Sequence, residues 1–252
     1  MDLGLKGKKV IIGGAARGIS KAVTEVLAAE GAEIGMFSRN AEALEAHRAA
    51  LAAGGAKVVA HPFTLAGREG YRKFLENLAG ELGGADIFIH SISSSGSGAT
   101  QDWQQSFEID MLGAVDGCEA LEPFLAKSGA GSVVLMSSTA AVETFLIPQA
   151  FNAIKAAMIT YGKQLSQAWA GQGIRVNMVS PGPVSYPGGN WEMIKAAMPA
   201  LYDATSQQIP LGRFGAPEDV AKAVAFLASP AAAYITGTNI IIDGGYTKRV
   251  QF

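Results

Sequence analysis

The chain reads as a single-domain α/β protein, a doubly wound parallel sheet with helices on both faces. Short, nearly continuous apolar runs recur from one end to the other, at 10–13, 33–37, 57–60, 86–90, 132–137, 175–179 and 239–242. Runs of that kind belong to strands buried on both faces. Stretches with helical spacing separate them, as at 21–30. The alternation implies right-handed β-α-β crossovers and therefore an open parallel sheet. No linker or low-complexity segment divides the chain, so residues 1–252 are expected to form one domain.

The elements can be taken in order. The first strand, 10–13, runs into Gly13-Gly14-Ala15-Ala16-Arg17-Gly18-Ile19-Ser20, which opens the first helix. Glycines between a strand and a helix let the backbone turn tightly and approach a pyrophosphate, which then faces the helix N-terminus. The second strand ends at Ser38-Arg39, where such folds meet the adenosine ribose. An acid there would accept the ribose hydroxyls and repel a 2′-phosphate, but Ser38-Arg39-Asn40 contains none. A guanidinium can instead grip a phosphate through several N–H groups. The long irregular region from Pro181 to Gly215 follows the sixth strand and has helical character over 191–207. An insertion at that strand end predicts a substrate-covering loop and helix over 185–212. Pro217 with Glu218 and Asp219 suits the start of a further helix.

Composition narrows the functional classes. Hydrophobic residues make up 49% of the 252 and charged residues 17%, as in a compact globule. A formal net charge of −2 without a Lys/Arg cluster gives no reason to expect nucleic acid. With one cysteine, Cys118, and three scattered histidines, His47, His61 and His90, zinc-ligand spacing is absent and no metal is expected. No apolar run reaches the ~18–20 residues a membrane span needs. The N-terminus lacks the order of a secretory signal, so the expected location is cytoplasmic.

Ser138, Phe151 and Lys155 form the most informative spacing. Phe151 and Lys155, four residues apart, share a helix face. The pattern resembles the Ser…Tyr-x-x-x-Lys site of the short-chain dehydrogenase/reductase family, with 3-oxoacyl-ACP reductase-like members among those it resembles. A Rossmann-type fold is thereby implied, with Phe151 where the catalytic tyrosine is usual. The glycine turn is similar to the family's Thr-Gly-x-x-x-Gly-x-Gly loop at Gly14 and Gly18 and departs from it at Gly13 and Ser20. Asn177 to Val184 resembles the Pro-Gly segment beside the nicotinamide, with Tyr186 where threonine is frequent. Ile235-Thr236-Gly237 and Ile242-Asp243-Gly244-Gly245 resemble the usual C-terminal strand and its approach.

The resemblance implies an NADP(H)-dependent oxidoreductase acting on a small-molecule carbonyl or alcohol. Cofactor contacts fall on Gly14, Arg17, Gly18, Ile19, Ser38, Arg39, Ser91, Lys155, Pro181, Gly182 and Val184. Arg17 stands where family members that use NADP often carry a basic residue. Ser138 would bond the substrate oxygen and Lys155 the nicotinamide ribose. Asp110 replaces a usual asparagine and could pair with Lys155. His90-Ser91-Ile92-Ser93 replaces Asn-Asn-Ala-Gly, and His90 is expected to be structural rather than a base. A homotetramer or homodimer is implied, through helices around 101–127 and 148–171.

Phe151 has no proton to exchange. Three readings follow: an engineered Tyr→Phe protein, a natural enzyme whose proton route uses Ser138, Tyr186, Tyr202 or water, and a non-catalytic NADP-binding regulatory protein. Trp191, Met193, Ile194, Met198, Leu201 and Tyr202 make an apolar stripe over the expected lid. If part of it faces the cleft, medium-sized apolar or acyl carbonyls fit better than small sugars.

Overall fold

A computed structural model describes residues 2–65, 67–97, 100–144 and 147–250, with the side chains of residues 96 and 97 excepted. Seven strands form one parallel sheet in the order β3-β2-β1-β4-β5-β6-β7. They are β1 (Lys9–Gly13), β2 (Glu33–Ser38), β3 (Val58–Pro62), β4 (Ile87–His90), β5 (Ser132–Met136), β6 (Arg175–Pro181) and β7 (Asn239–Ile242). Each lies within two residues of its predicted bounds. The order reverses between β1 and β4, so the crevice above their C-terminal ends is where a ligand is expected in such a sheet.

Along β1, successive side chains go to opposite faces. Val10 and Ile12 join one core with Val23 and Leu27 of α1 (Gly18–Ala29), Leu44 of α2 (Ala41–Ala53), and Val220 and Val224 of α9 (Pro217–Ala228). Ile11 joins the other, with Leu75 and Leu78 of α3 (Arg68–Leu82), Leu121 and Leu125 of α5 (Gly113–Lys127), and Met158 and Trp169 of α6 (Ala150–Trp169). The α5 and α6 helices approach the sheet closely because small residues face it. A Cβ on Gly117 would lie 2.5 Å from the Phe88 ring, and one on Gly162 would lie 2.4 Å from the Met178 sulfur.

The predicted helix at 191–207 is two helices, α7 (Asn190–Ala197) and α8 (Pro199–Gln208). Pro199 is the reason: its ring disfavours helical backbone at the residue before it, and Met198 sits at φ −140°, ψ 64°. A second departure lies before α5. After the short α4 (Trp103–Ser106), the chain takes a wide π-helical turn over Phe107–Leu112 before resuming α-helix at Gly113. Turns of this kind are rare and tend to occur at functional sites. This one carries Asp110 on its buried side. The α9 start follows expectation, with Pro217 in the first turn and an Asp219 oxygen accepting the Ala216 N–H at 2.8 Å.

Because α5 packs on β4 through a position without a side chain, Gly117→Val is expected to lower unfolding free energy by about 1–3 kcal/mol. Urea denaturation of the purified chain measures this.

Candidate active site

Above the C-terminal ends of the strands lies a cavity of about 1250 Å³. Gly14, Arg17, Ile19, Ser38, Arg39, Ser91, Ser138, Phe151, Lys155, Pro181, Gly182 and Val184 all line it. Twelve of the fourteen sequence-predicted site residues are thus brought to one space. The other two, Gly18 and Asp110, are not part of the lining.

At one end, β1 gives way to α1 through the glycine turn. Gly14 has φ +72° and Gly18 φ +56°, backbone that other residues rarely adopt. The Tyr186 ring lies over Gly18, so a Cβ there would be 2.6 Å from it. Ser20 is accommodated inside α1, its Oγ 2.7 Å from the Ser91 Oγ. That hydrogen bond ties α1 to the segment after β4. Gly182 accepts the chain crossing above it, since a Cβ there would lie 2.4 Å from that of Asp243. These features leave the cavity floor at this end made largely of backbone, with the N-terminal N–H groups of α1 beside it.

At the other end, α6 brings Phe151 and Lys155 from one face. The Phe151 N–H, in the first turn of α6, donates to the Thr100 carbonyl at 3.0 Å. Ser138 follows β5, and its Oγ accepts the Ala140 N–H at 3.2 Å. A hydroxyl has one donor and two acceptor sites, so this bond leaves the Ser138 O–H available. Ser137 also lines the cavity, and its hydroxyl donates to the Lys155 carbonyl at 3.0 Å.

Lys155 crosses from α6 to the end of β5. Its Nζ donates to the Met136 carbonyl at 2.7 Å and stands 2.9 Å from Asp110 Oδ1. Both side chains are essentially closed to solvent, at 3% and 0% exposure. The same ammonium lies 5.6 Å from the Phe151 ring centroid. Asp110 Oδ2 accepts the Ser94 N–H at 2.9 Å. Burial pushes the Asp110 pKa up, but the Lys155 ammonium and the Ser94 donor outweigh it and hold the carboxyl below its ordinary value.

His90 lies behind this pair, 1% exposed, with Nε2 3.2 Å from the Asp110 carbonyl oxygen and Nδ1 without a hydrogen-bond partner. Burial, with help from the Lys155 charge, lowers its pKa to about 3. It is neutral, enclosed and away from the cavity lining, which fits the structural role expected of it. Tyr202 also lies outside that lining, its ring stacked on Phe214 at 4.4 Å.

The lid stripe is split. Trp191 and Ile194 of α7 line the cavity, whereas Met193 and Met198 are 58% and 50% exposed. Ser93, Ser95, Gln149, Asn152 and Asn190 join Trp191 and Ile194 in the lining. Sequence reasoning missed these polar residues because they come from three separate segments with no shared motif. Among the described residues, no group of three His, Cys, Asp or Glu could hold a metal ion, and no helix is long and apolar enough to cross a membrane.

A strand-helix glycine turn at the sheet's switch point, joined in one cavity to serine and lysine on β5 and α6, defines a nucleotide-dependent oxidoreductase scaffold. The chain belongs to the short-chain dehydrogenase/reductase family; a family profile described as enoyl-(acyl carrier protein) reductase matches residues 14–247. It is 35% identical over 257 residues to the isoepoxydon dehydrogenase patN of Penicillium expansum, covering 100% of this chain and 99% of that one. It is 34% identical to the D-threitol dehydrogenase of Mycolicibacterium smegmatis, over 98% of this chain and 95% of that one. The crystal structure of L-sorbose reductase from Gluconobacter frateurii, complexed with NADPH and L-sorbose, superposes with a TM-score of 0.88 at 29% identity. That match covers 99% of this chain and 100% of the reductase.

The buried neutral His90 generates a pH prediction. Its folded pKa lies below its unfolded value, so between about 6.5 and about 3 the unfolded chain binds the extra proton and stability falls with pH. His90→Asn is expected to flatten part of that loss, reducing the difference in thermal midpoint between pH 7.5 and pH 5.

Proposed function

We propose that the chain is an NADP(H)-dependent oxidoreductase interconverting a carbonyl and a secondary alcohol, with proton transfer altered because Phe151 occupies the position of the family tyrosine. The observation that carries this is one cavity lined by Gly14, Arg17 and Arg39 as well as by Lys155 and Ser138. The dinucleotide fits what is present. Two glycines with positive φ and a third without room for a Cβ make a backbone-lined cradle of the kind a pyrophosphate needs. When bound, the nicotinamide supplies or accepts the hydride.

The chain's own residues bind, orient and exchange the proton. Arg17 and Arg39 hold the 2′-phosphate, with no carboxylate at the end of β2 to oppose it. Lys155 has three N–H donors, one given to Met136 and one directed at Asp110, which leaves one for a ribose hydroxyl in the cavity. The Ser138 O–H bonds the substrate oxygen and, with water, is the proton source nearest that oxygen. The Phe151 ring fills space and excludes water but moves no proton. Lack of a positioned acid is typically worth about 10²–10⁴-fold in rate, so turnover is expected to be slow.

For the substrate, Trp191 and Ile194 face the cleft as the apolar or acyl carbonyl expectation required, but the Ser93, Gln149, Asn152 and Asn190 polar groups beside them support instead a carbonyl compound bearing neighbouring hydroxyls. The names of the relatives, an isoepoxydon and a threitol dehydrogenase and a sorbose reductase, are in keeping with it. Phe151 itself favours a second reading, a cofactor-binding regulatory protein without turnover. We also read the chain as a homodimer or homotetramer, because Trp103 and Phe107 are 63% and 45% exposed beside Leu112 and Ile154.

Fluorescence titration is expected to give NADPH binding at least tenfold tighter than NADH. Arg39→Ala should weaken NADPH by about 10–100-fold while leaving NADH within threefold. Equal affinity for the two dinucleotides ends the NADP(H) assignment. Slow NADPH oxidation with L-sorbose or related hydroxyketones supports the enzyme reading, and tight binding without any oxidation supports the regulatory one. In sedimentation, Trp103→Glu should shift the assembly toward monomer; a parent chain already monomeric removes the oligomer.

A further inference from the structure

The geometry points to Asp110 and Phe151 as one coupled substitution: the Asp110 carboxylate neutralises the Lys155 ammonium from behind, doing internally what a phenolic oxygen at position 151 would do from the cavity side. Asp110 is then a positioning residue that acts through Lys155. This goes beyond the proposed function and stands whichever substrate the cavity takes.

The argument begins with the cost of a buried charge. An ammonium with 3% of its side chain exposed requires a compensating anion or a full set of acceptors. The Met136 carbonyl supplies one acceptor at 2.7 Å. The Phe151 ring at 5.6 Å supplies only its π face, a weak contact beside a formal negative charge. The remaining compensation comes from Asp110 Oδ1 at 2.9 Å. That carboxylate has no other cation to serve, since its second oxygen is taken by the neutral Ser94 N–H. The wide turn at Phe107–Leu112 brings it there, with His90 closing the space behind. Of the charged groups on the elements packed against the start of α6, His90 is neutral, and Glu108 is exposed and bonded to the Gln104 amide at 3.0 Å. Asp110 and Lys155 are the two charges in contact there.

The consequence concerns any oxygen put back at position 151. A phenol facing a lone ammonium ionises more easily, because the cation favours the phenolate. A phenol facing an ammonium already matched to a carboxylate meets a small dipole and, slightly further off, a like charge. The two effects oppose, so the lysine loses most of its power to acidify that phenol. A single Phe151→Tyr change therefore returns the oxygen without returning its acidity.

The test needs no substrate or nucleotide. Tyrosine labelled with ¹³C at Cζ is incorporated into the full chain, into F151Y and into F151Y/D110N, and the added resonance is titrated by NMR. In F151Y the phenol is expected to ionise at or above the ordinary value of about 10. In the double variant its ionisation constant should rise at least tenfold. D110N should also lower the thermal midpoint more in the parent, where the Lys155 ammonium loses its anion and keeps only the Met136 carbonyl, than in F151Y, where a phenolic oxygen also faces it. A phenol in F151Y that titrates a unit or more below the ordinary value overturns the proposal. So does a change of less than threefold on adding D110N, or an equal drop in midpoint in both backgrounds. Should neither D110N variant fold, the F151Y titration alone decides by the same threshold.

Discussion

The chemical half of this molecule depends on one buried ammonium. Lys155 reaches from α6 to the last carbonyl of β5 at Met136 and to Asp110 on the turn before α5. It thereby joins three elements, alongside the Ser137 hydroxyl that donates to the Lys155 carbonyl. Removing one partner from a buried ion pair typically costs about 3–5 kcal/mol, because the charge left behind has no solvent. The pair therefore constrains the positions of Phe151 and Ser138, whose segments Lys155 connects. Its worth lies in geometry more than in net stability, since an apolar replacement of both partners would be close to neutral.

The other half is governed by backbone. The strand order reverses between β1 and β4, and the crevice so formed is bounded by the Gly14–Gly18 turn, by Ser91 and by the Pro181–Val184 segment. Side chains are excluded from its floor by contact: Tyr186 over Gly18, Asp243 over Gly182, Phe37 and Ile92 within 2.9 Å of where a Gly13 Cβ would sit. Ser20 departs from the family glycine without disturbing this, because its hydroxyl finds the Ser91 hydroxyl within α1's packing face. The substitution converts a packing position into a hydrogen bond between the two edges of the crevice. Tyr186 joins the segment after β6 to the same turn through one ring.

How much of this was legible in sequence differs by scale. All seven strands were visible as apolar runs, the five central ones because both their faces are buried and the edge strands β3 and β7 because they are half-buried, and their bounds were right within two residues. The cofactor end was legible because its requirements are on the backbone and glycine records them. The break between α7 and α8 was also written in the chain, at Pro199, but the apolar stripe over 191–207 obscured it. The π-helical turn left no such mark, since nothing in Phe107 to Leu112 distinguishes it from α-helix by residue type. Asp110 could be suspected of pairing with Lys155 because it puts a charge where the family resemblance implies asparagine. That the same ammonium also holds Met136, and that His90 sits neutral behind both, required the fold.

Set beside one another, the departures from the family pattern do not scatter at random. Ser20, His90, Asp110 and Phe151 lie on different elements, yet Ser20 bonds to the residue after His90, His90 lies against Asp110, and Asp110 reaches Phe151 through Lys155. A lone Phe151 in an otherwise ordinary site would leave a lysine poised beside a missing oxygen. Here that lysine has a carboxylate, and burial keeps the histidine behind it uncharged, so no second cation competes for Asp110. The continuity of that chain of contacts makes these four positions one physically connected set.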